Sequence, residues 1–271
     1  MLETEDVHSR NPGAALRAGL LWLAGGIAFS PVLVDLAGHF LTAAWSRYAL
    51  VFPGLLAWQL LDGSDRVRPG RDGVVWLVIG LAIEAVALVG GELRIGRLGL
   101  AAAAVGLCRF GGWGSWRSLV LIGLAVPVPA FVLFLLSPEL ESALLALAIP
   151  LLPGADLALT GVTVHAGSEA LMLDHGDGGI PTAILGAGIA WFLALRTAPP
   201  PQRLAGSCAA GAACGFAIQY VSLLLALGVL QTAGGEPART LLSNLPPLAT
   251  IATLGLASLR RRRRTGASAH G

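Results

Sequence analysis

The chain has 271 residues, of which 55% are hydrophobic and 13% charged, and its mean hydropathy is +0.74. A soluble domain of this length needs more polar surface than these residues supply, so the composition excludes an ordinary soluble protein and indicates a polytopic membrane protein surrounded by lipid. The formal net charge of only +2 excludes the chain as a whole from binding nucleic acid.

The apolar runs predict an all-α polytopic bundle of about eight transmembrane helices, because about twenty apolar residues match the thickness of a bilayer. Residues 1–16 are predicted to form a cytoplasmic segment, residues 17–259 the transmembrane domain, and residues 260–271 a basic cytoplasmic tail. In chain order the predicted spans are Arg17–Ala37, Ala44–Leu61, Val74–Gly90, Leu98–Phe110, Trp116–Leu136, Ile180–Leu195, Leu204–Leu230 and Leu241–Leu259.

Arginine clusters set the orientation of these spans. All 18 basic residues are arginines, and five clusters fall on one side of the predicted bundle. Since cytoplasmic loops are enriched in basic residues, we expect an inner (plasma) membrane protein with both termini in the cytoplasm. The five clusters are Arg10 with Arg17, Arg66 with Arg68 and Arg71, Arg109 with Arg117, Arg196 with Arg203, and Arg260–Arg264.

One segment, residues 137–179, is predicted to stay on the outer side before the sixth span. The run Ala143–Leu152 is too short to cross a bilayer, so we expect it to lie at the interface. The pieces Thr160–His165 and Ala170–Leu173 read as short extended segments around Gly167, as in a small hairpin. Pro181 suits the first turn of the span that follows.

The outer segment carries the richest cluster of ionisable side chains, Asp174, His175 and Asp177, with His165 upstream. Imidazole and carboxylate groups could form a metal site or a general acid–base pair. Their spacing matches no established zinc or calcium motif. The alternative is an exposed Asp/Gly-rich turn that caps the sixth span, and we expect neither a metal nor a cofactor.

Two further polar positions lie in the predicted spans. Glu84 stands in the middle of the third span, where a carboxylate must face the bundle interior. It could belong to a proton or ion pathway, or it could make a buried hydrogen bond. Asp35 and His39 lie one helical turn apart and are expected to form an interfacial pair.

The three cysteines, Cys108, Cys208 and Cys214, all lie in apolar runs. A thiol needs a positively charged or imidazole neighbour to act as a nucleophile, and none stands near Cys208 or Cys214 in the sequence. Cys208 and Cys214 are surrounded by Ala and Gly, which favours a packing role for both residues.

The order of several segments resembles the exosortase/archaeosortase family of membrane-embedded cysteine transpeptidases. Trp45-Ser46, Leu50-Val51 and Pro53 resemble an early Ser-His-Gly-x-Leu-Val-x-Pro segment of that family. Ala125–Pro129 is similar to its Pro-Leu-Pro span, and Gly161–Leu173 is similar to the extended segment before its catalytic cysteine. The resemblance covers most of the chain from Trp45 onward.

The resemblance implies a catalytic triad of cysteine, arginine and histidine that cleaves a C-terminal sorting signal and transfers the acyl group. Asp177 stands where the family's cysteine is expected, Ser222 where its arginine is expected, and Ser243 where its histidine is expected. An aspartate lacks the nucleophilicity and leaving ability of a thiolate. The interpretation is therefore a retained scaffold without its catalytic residues.

We therefore expect an exosortase-like membrane protein without transpeptidase activity, a pseudoenzyme. It would bind a sorting helix of a secreted protein or partner with surface-protein or extracellular-polymer export machinery. One alternative is an active peptidase or transpeptidase of the same fold that uses Asp177, His175 and His165. Another is a small-solute transporter that uses Glu84.

Overall fold

The computed structural model describes residues 12–62, 69–127, 130–152, 156–174, 176–195 and 199–267, and these residues are mostly helical. The chain divides into two compact units, one of Met1–His39 with Trp58–Gly123 and one of Phe40–Ala57 with Leu124–Gly271. His175, Pro129 and the arginines at 10, 66, 68 and 196 lie outside the described residues.

The described residues form ten α-helices, two short 3-10 helices at Ala44–Leu50 and Ile149–Leu151, and three strands. The helices are α1 Pro12–Ala28, α2 Ser30–Thr42, α3 Val51–Asp62, α4 Asp72–Gly90, α5 Leu93–Phe110, α6 Trp116–Leu124, α7 Ala130–Ala148, α8 Ile180–Leu195, α9 Pro201–Ala233 and α10 Gly235–Ala267. The strands are β1 Leu157–Thr160, β2 Thr163–Ala166 and β3 Glu169–Met172.

The apolar helices identify a membrane-embedded protein, but the expected count of about eight spans is wrong for the described residues. By length and composition, three helices there could cross a bilayer, or four if the bent pair α1–α2 counts as one span. The three helices are α4, α9 and the Gly235–Ser258 part of α10. The predicted bounds of the sixth span are confirmed as those of α8, yet this helix has only 16 residues.

Breaks in the helices explain part of the lower count. The first predicted span bends by 74° between α1 and α2, where Pro31 supplies no backbone donor to the start of α2. The second predicted span divides into a 3-10 helix and α3, which has 12 residues. The fifth divides between α6, which ends at Leu124, and α7, which begins at Ala130.

Charged residues explain why the fourth predicted span is not among the helices that could cross a bilayer. The helix begins at Leu93 rather than Leu98, so α5 gains Arg94 and Arg97 in addition to Arg109. Three arginines in 18 residues are costly in the hydrocarbon interior of a bilayer. The sequence prediction counted the apolar run and missed the helical turn that precedes it.

Glycines bring α4 and α5 together in the first unit. A Cβ atom at Gly73 would collide with the backbone of Gly106 and Phe110, and one at Gly80 would collide with the backbone of Gly99. Each helix therefore contributes a pair of glycines seven residues apart, which is the spacing of one helix face. Such close backbone contact is typical of small residues between membrane helices.

In the second unit the three strands form an antiparallel sheet in the order β1-β2-β3. The predicted hairpin is present, with Thr163 paired to Met172 and with Gly167 in its turn at φ 61°. The additional strand β1 was not predicted. Buried side chains of the sheet pack against α7, α9 and α10. This core includes Val164, Leu171 and Leu173 from the strands and the residue after them, and Leu145, Leu227 and Leu242 from the helices.

Glycines also bring α8 and α9 into backbone contact. A Cβ atom at Gly186 would collide with the carbonyl of Gly211, and one at Gly215 would collide with the carbonyl of Thr182. This contact holds the first turns of α8 beside the middle of α9. The turn that precedes α8 is thereby placed over the two long helices, α9 and α10.

Candidate functional site

The turn between β3 and α8 is fastened by the side chain of Asp177. The N–H of Asp174 donates to Asp177 Oδ2 at 2.8 Å, and the N–H of Asp177 donates to the carbonyl of Asp174 at 2.7 Å. Gly179 has a φ of 87°, a left-handed conformation that admits glycine most easily. Asp177 is 7% exposed, so its carboxylate is nearly enclosed.

Arg239, in α10, holds this turn from the opposite side. Its Nη1 lies 2.5 Å from Asp177 Oδ2, and its Nη2 lies 3.2 Å from Asp174 Oδ2. Nη1 also donates to the carbonyl of Met172 at 3.1 Å. The guanidinium therefore joins two carboxylates and the end of β3 in a charge-assisted network.

The amide of Gln219, in α9, completes the support of the turn. Its Nε2 donates to the carbonyl of Asp177 at 3.1 Å, and its Oε1 accepts from the hydroxyl of Thr182 at 3.4 Å. The same hydroxyl donates to the carbonyl of Gly179 at 2.9 Å. Gln219 is 2% exposed, so these bonds fix its position in the interior.

These residues surround a small cavity of about 40 Å³, here called the Asp177 cavity. Its polar lining residues are Tyr48, Asp174, Asp177, Thr182, Gln219, Arg239 and Ser243. Pro181, Leu242, Pro246 and Pro247 supply apolar surface. All of these residues belong to the second unit.

Two of the three positions at which the resemblance predicted a catalytic triad meet at this cavity. Asp177 and Ser243 both line it, and Ser243 donates its hydroxyl to the carbonyl of Arg239 at 2.9 Å. Ser222 is not among the lining residues; it is 1% exposed and bonds the carbonyl of Ile218 at 2.8 Å. Gln219, one turn before Ser222 on α9, lines the cavity instead.

Arg239, the basic residue beside Asp177, was not predicted from the sequence. Its position, four residues before Ser243, places both on one face of α10. A second signal was available in the sequence. An arginine at the predicted outer end of a span departs from the basic-inside pattern and therefore indicates a specific partner.

Of the other candidates predicted in the outer segment, Asp174 lines the cavity and His165 does not. His165 is in the central strand β2, opposite Ala158 and Ala170, and His175 lies outside the described residues. Among the described residues, no three His, Cys, Asp or Glu side chains are grouped as a metal ion would require. Of the predicted cluster, Asp174 and Asp177 therefore line the cavity.

Glu84 and Asp35 lie in the first unit. Glu84 is 3% exposed, and neither of its carboxyl oxygens has a hydrogen-bond partner among the described residues. Asp35 forms an ion pair with Arg97, with Oδ2 2.8 Å from Nη2. This ion pair joins α2 to α5 and was not predicted.

No cysteine lines the cavity. Cys108 is fully buried in α5, and Cys208 and Cys214 are half-buried in α9. Within the described part of the chain, the cavity therefore offers carboxylate, hydroxyl, amide and guanidinium groups, and no thiol nucleophile.

Glu141, in α7, lies behind the turn and was not predicted. It is 1% exposed, its Cγ lies 3.5 Å from the Cβ position of Gly178, and its Oε1 has no hydrogen-bond partner among the described residues. Burial raises the pKa of Glu141 to about 7; Asp177 and Asp174 add to this rise, whereas Arg239 and the N–H of Gly178 oppose it. Burial also raises the pKa of Asp177, against the influence of Arg239.

The raised pKa of Glu141 predicts a pH-dependent stability. Because the folded chain holds this proton more tightly than the unfolded chain, stability should fall as pH rises from about 4.5 through about 7. Glu141→Gln should stabilise the protein at pH 8 by up to about 3 kcal/mol and leave it nearly unchanged at pH 4.5. Thermal unfolding in detergent across this range measures the difference.

Glu139→Gln is the control, because Glu139 is an exposed residue of the same helix. This variant should keep the dependence of stability on pH that the unmodified protein shows. Asp177 contributes a slope of the same sign, so Glu141→Gln should flatten the profile without abolishing it. An unchanged slope in Glu141→Gln would contradict the assignment.

Comparison with known proteins adds no relative to this picture. No protein-family model, no curated protein and no solved structure is detectably similar to this chain.

Proposed function

We propose that this chain is an exosortase-like plasma-membrane protein that binds a C-terminal sorting segment of a secreted protein without cleaving it. In this role it serves as a binding or partner subunit in surface-protein sorting or polymer export, with both termini in the cytoplasm. The arginine clusters support the orientation. Binding and bond cleavage use different groups, so a scaffold can keep the first function and lose the second.

One observation carries the proposal: the positions that match the family's cysteine and histidine, Asp177 and Ser243, line one cavity. The cavity lacks the thiol that the family's acyl transfer requires. The carboxylate of Asp177 is held by Arg239 and by the N–H of Asp174, so it is a structural group rather than a free nucleophile.

Photo-crosslinking tests the proposal directly. A synthetic peptide with a polar region, an apolar helix and a benzophenone in the polar region is incubated with the purified full chain in detergent. We expect crosslinks to residues of the Asp177 cavity and recovery of uncleaved peptide. Ser243→Trp, which fills the cavity, should reduce crosslinking about ten-fold, an effect of about 1.4 kcal/mol.

The matched control for Ser243→Trp is Asn244→Trp. Asn244 is the next residue of α10, is exposed, and is not among the lining residues, so this variant should keep the crosslink. Equal crosslinking in the two variants would place the peptide elsewhere and contradict the proposal.

A second candidate is an enzyme of the same fold with carboxyl chemistry. The observation in its favour is the pair of carboxyl groups at the turn, in which Glu141 has a pKa near neutrality beside Asp177. Such a pair can serve as general acid and base. Peptide cleavage that disappears in Asp177→Ala would establish this candidate and exclude the binding-only function.

A third candidate, small-solute transport, depends on the buried carboxyl of Glu84 between membrane helices. Solute or proton flux into liposomes that disappears in Glu84→Gln would support it. Equal flux in the two proteins would leave Glu84 as a structural group.

A further inference from the structure

One end of the first unit combines tryptophan rings with positive charge. It consists of residues 69–78, 109–110 and 113–117, at the start of α4, the end of α5 and the start of α6, and is here called the Arg109 end. The N–H of Gly70 donates to the carbonyl of Arg109 at 3.1 Å, so the next residue, Arg71, lies beside the end of α5. In the proposed orientation this end belongs to the cytoplasmic side of the membrane.

Tryptophans indicate that the Arg109 end lies at the boundary between lipid and water. The rings of Trp76 and Trp116 meet edge to face with centroids 5.8 Å apart, and Trp22 of α1 stacks on Trp113 at 6.2 Å. Tryptophan is enriched at this boundary because its ring is apolar and its N–H is polar. The helix α4, which is long and apolar enough to cross a bilayer, begins at the same end.

The guanidinium of Arg109 is held in place, yet part of it makes no bond. Its Nε lies 3.0 Å from Asp72 Oδ2 and its Nη2 lies 3.4 Å from Asp72 Oδ1, while its Cζ lies 5.2 Å from the centroid of the Trp116 ring. These bonds use two of the five N–H donors, and Nη1 makes no hydrogen bond with another described residue. A ligand that accepts from Nη1 therefore meets a guanidinium that is already ordered.

Positive charge exceeds negative charge in the sequence around Arg109. Residues 62–72 and 109–117 contain five arginines and three aspartates. Arg71 is exposed and forms no ion pair with a described residue, whereas Asp72 balances the charge of Arg109. The charge of Arg71 is therefore available to an anion.

Apolar side chains lie next to these arginines on α4. Val74, Val75 and Val78, in the first two turns of the helix, are 47%, 58% and 60% exposed. In a bilayer such a surface is covered by acyl chains. A ligand that matches both features carries a phosphate group and hydrocarbon chains, which describes a phospholipid and not a free phosphate ion.

We propose that the Arg109 end binds the head group of an anionic phospholipid. The phosphate accepts hydrogen bonds from Nη1 of Arg109 and from the guanidinium of Arg71, and the acyl chains follow the exposed face of α4. The excess of arginine selects an anionic head group over a zwitterionic one, whose ammonium group the arginines repel. This site belongs to the first unit and is independent of the peptide binding proposed for the Asp177 cavity.

Two lipids with the same acyl chains test the site in the purified full chain in detergent. Phosphatidylglycerol should raise the melting temperature in a saturable way, and its concentration dependence gives the affinity. Phosphatidylcholine should not raise it, and neither should glycerol 3-phosphate, which carries the phosphate without the chains. Arg71→Gln should weaken phosphatidylglycerol binding about five-fold, the contribution of one basic residue near a membrane surface. Arg109→Lys, which keeps the charge and loses the planar fork, should weaken it by a similar factor.

The matched control is Arg203→Gln, which also removes one exposed arginine but lies in the second unit, in the first turn of α9. It should leave the affinity for phosphatidylglycerol unchanged. Equal losses in Arg71→Gln and Arg203→Gln would mean that only the total charge matters and would overturn the site, as would equal effects of the two lipids or of glycerol 3-phosphate. Peptide crosslinking to the Asp177 cavity should be the same in Arg71→Gln as in the unmodified protein, so the two proposals can fail separately.

Discussion

Arg239→Gln is expected to destabilise the protein by about 2 kcal/mol, because it removes the guanidinium that pairs with the carboxylates of Asp174 and Asp177. Breaking a fully buried pair by removing one partner costs about 3–5 kcal/mol. The smaller value expected here reflects the 36% exposure of the Arg239 side chain. Asp177 is the more enclosed partner, with 10% exposure of its side chain, so it bears most of the loss.

The double variant Asp177→Asn with Arg239→Gln should recover part of this stability, since it removes the charge that Arg239→Gln leaves unpaired. Arg203→Gln is the matched control, because Arg203 is an exposed arginine in the first turn of α9. Thermal unfolding in detergent gives all four values. A double variant that is less stable than Arg239→Gln by the full cost of Asp177→Asn alone would show that the two side chains do not interact.

Gly215→Ala is expected to destabilise the second unit strongly, although it adds a single methyl group. Its Cβ would collide with the carbonyl group of Thr182, whose backbone atoms cannot move without separating α8 from α9. We expect a loss of about 3 kcal/mol, at the upper end of overpacking effects. Because Thr182 lines the Asp177 cavity, peptide crosslinking should fall as well.

Gly206→Ala is the control for this variant, because it introduces the same methyl group into the same helix. Gly206 is exposed and has no atom within 4 Å of its Cβ position. Alanine is a better helix former than glycine by about 1 kcal/mol, so this variant should be slightly more stable than the unmodified protein. Equal loss of stability in both variants would contradict the assignment, because Gly206 takes no part in the α8–α9 contact.

The sequence predicted local structure well where a strong local signal was present. Pro181 and the apolar run after it predicted the bounds of α8, and Gly167 predicted the turn between β2 and β3. The prediction of the number of spans failed, because that number depends on where helices bend and where they begin. Apolar composition alone does not show that a run bends at Phe29 or gains arginines at its start, as α5 does.

The candidate site was predicted in part for a similar reason. Segment order placed Asp177 and Ser243 at positions that meet at one cavity, and the helical repeat then explains both misses. Gln219 lies one turn before Ser222, and Arg239 lies one turn before Ser243, so the side chains that support the turn are neighbours of the expected ones. Glu141 could not be assigned, because nothing in the sequence places α7 behind the turn.

The mass of the intact protein after incubation with the sorting-segment peptide tests the central claim most directly. The account predicts that the protein keeps its unmodified mass while the benzophenone, on illumination, links uncleaved peptide to the Asp177 cavity. An added mass equal to the amino-terminal fragment of the peptide, held as a thioester on Cys108, Cys208 or Cys214, would contradict it.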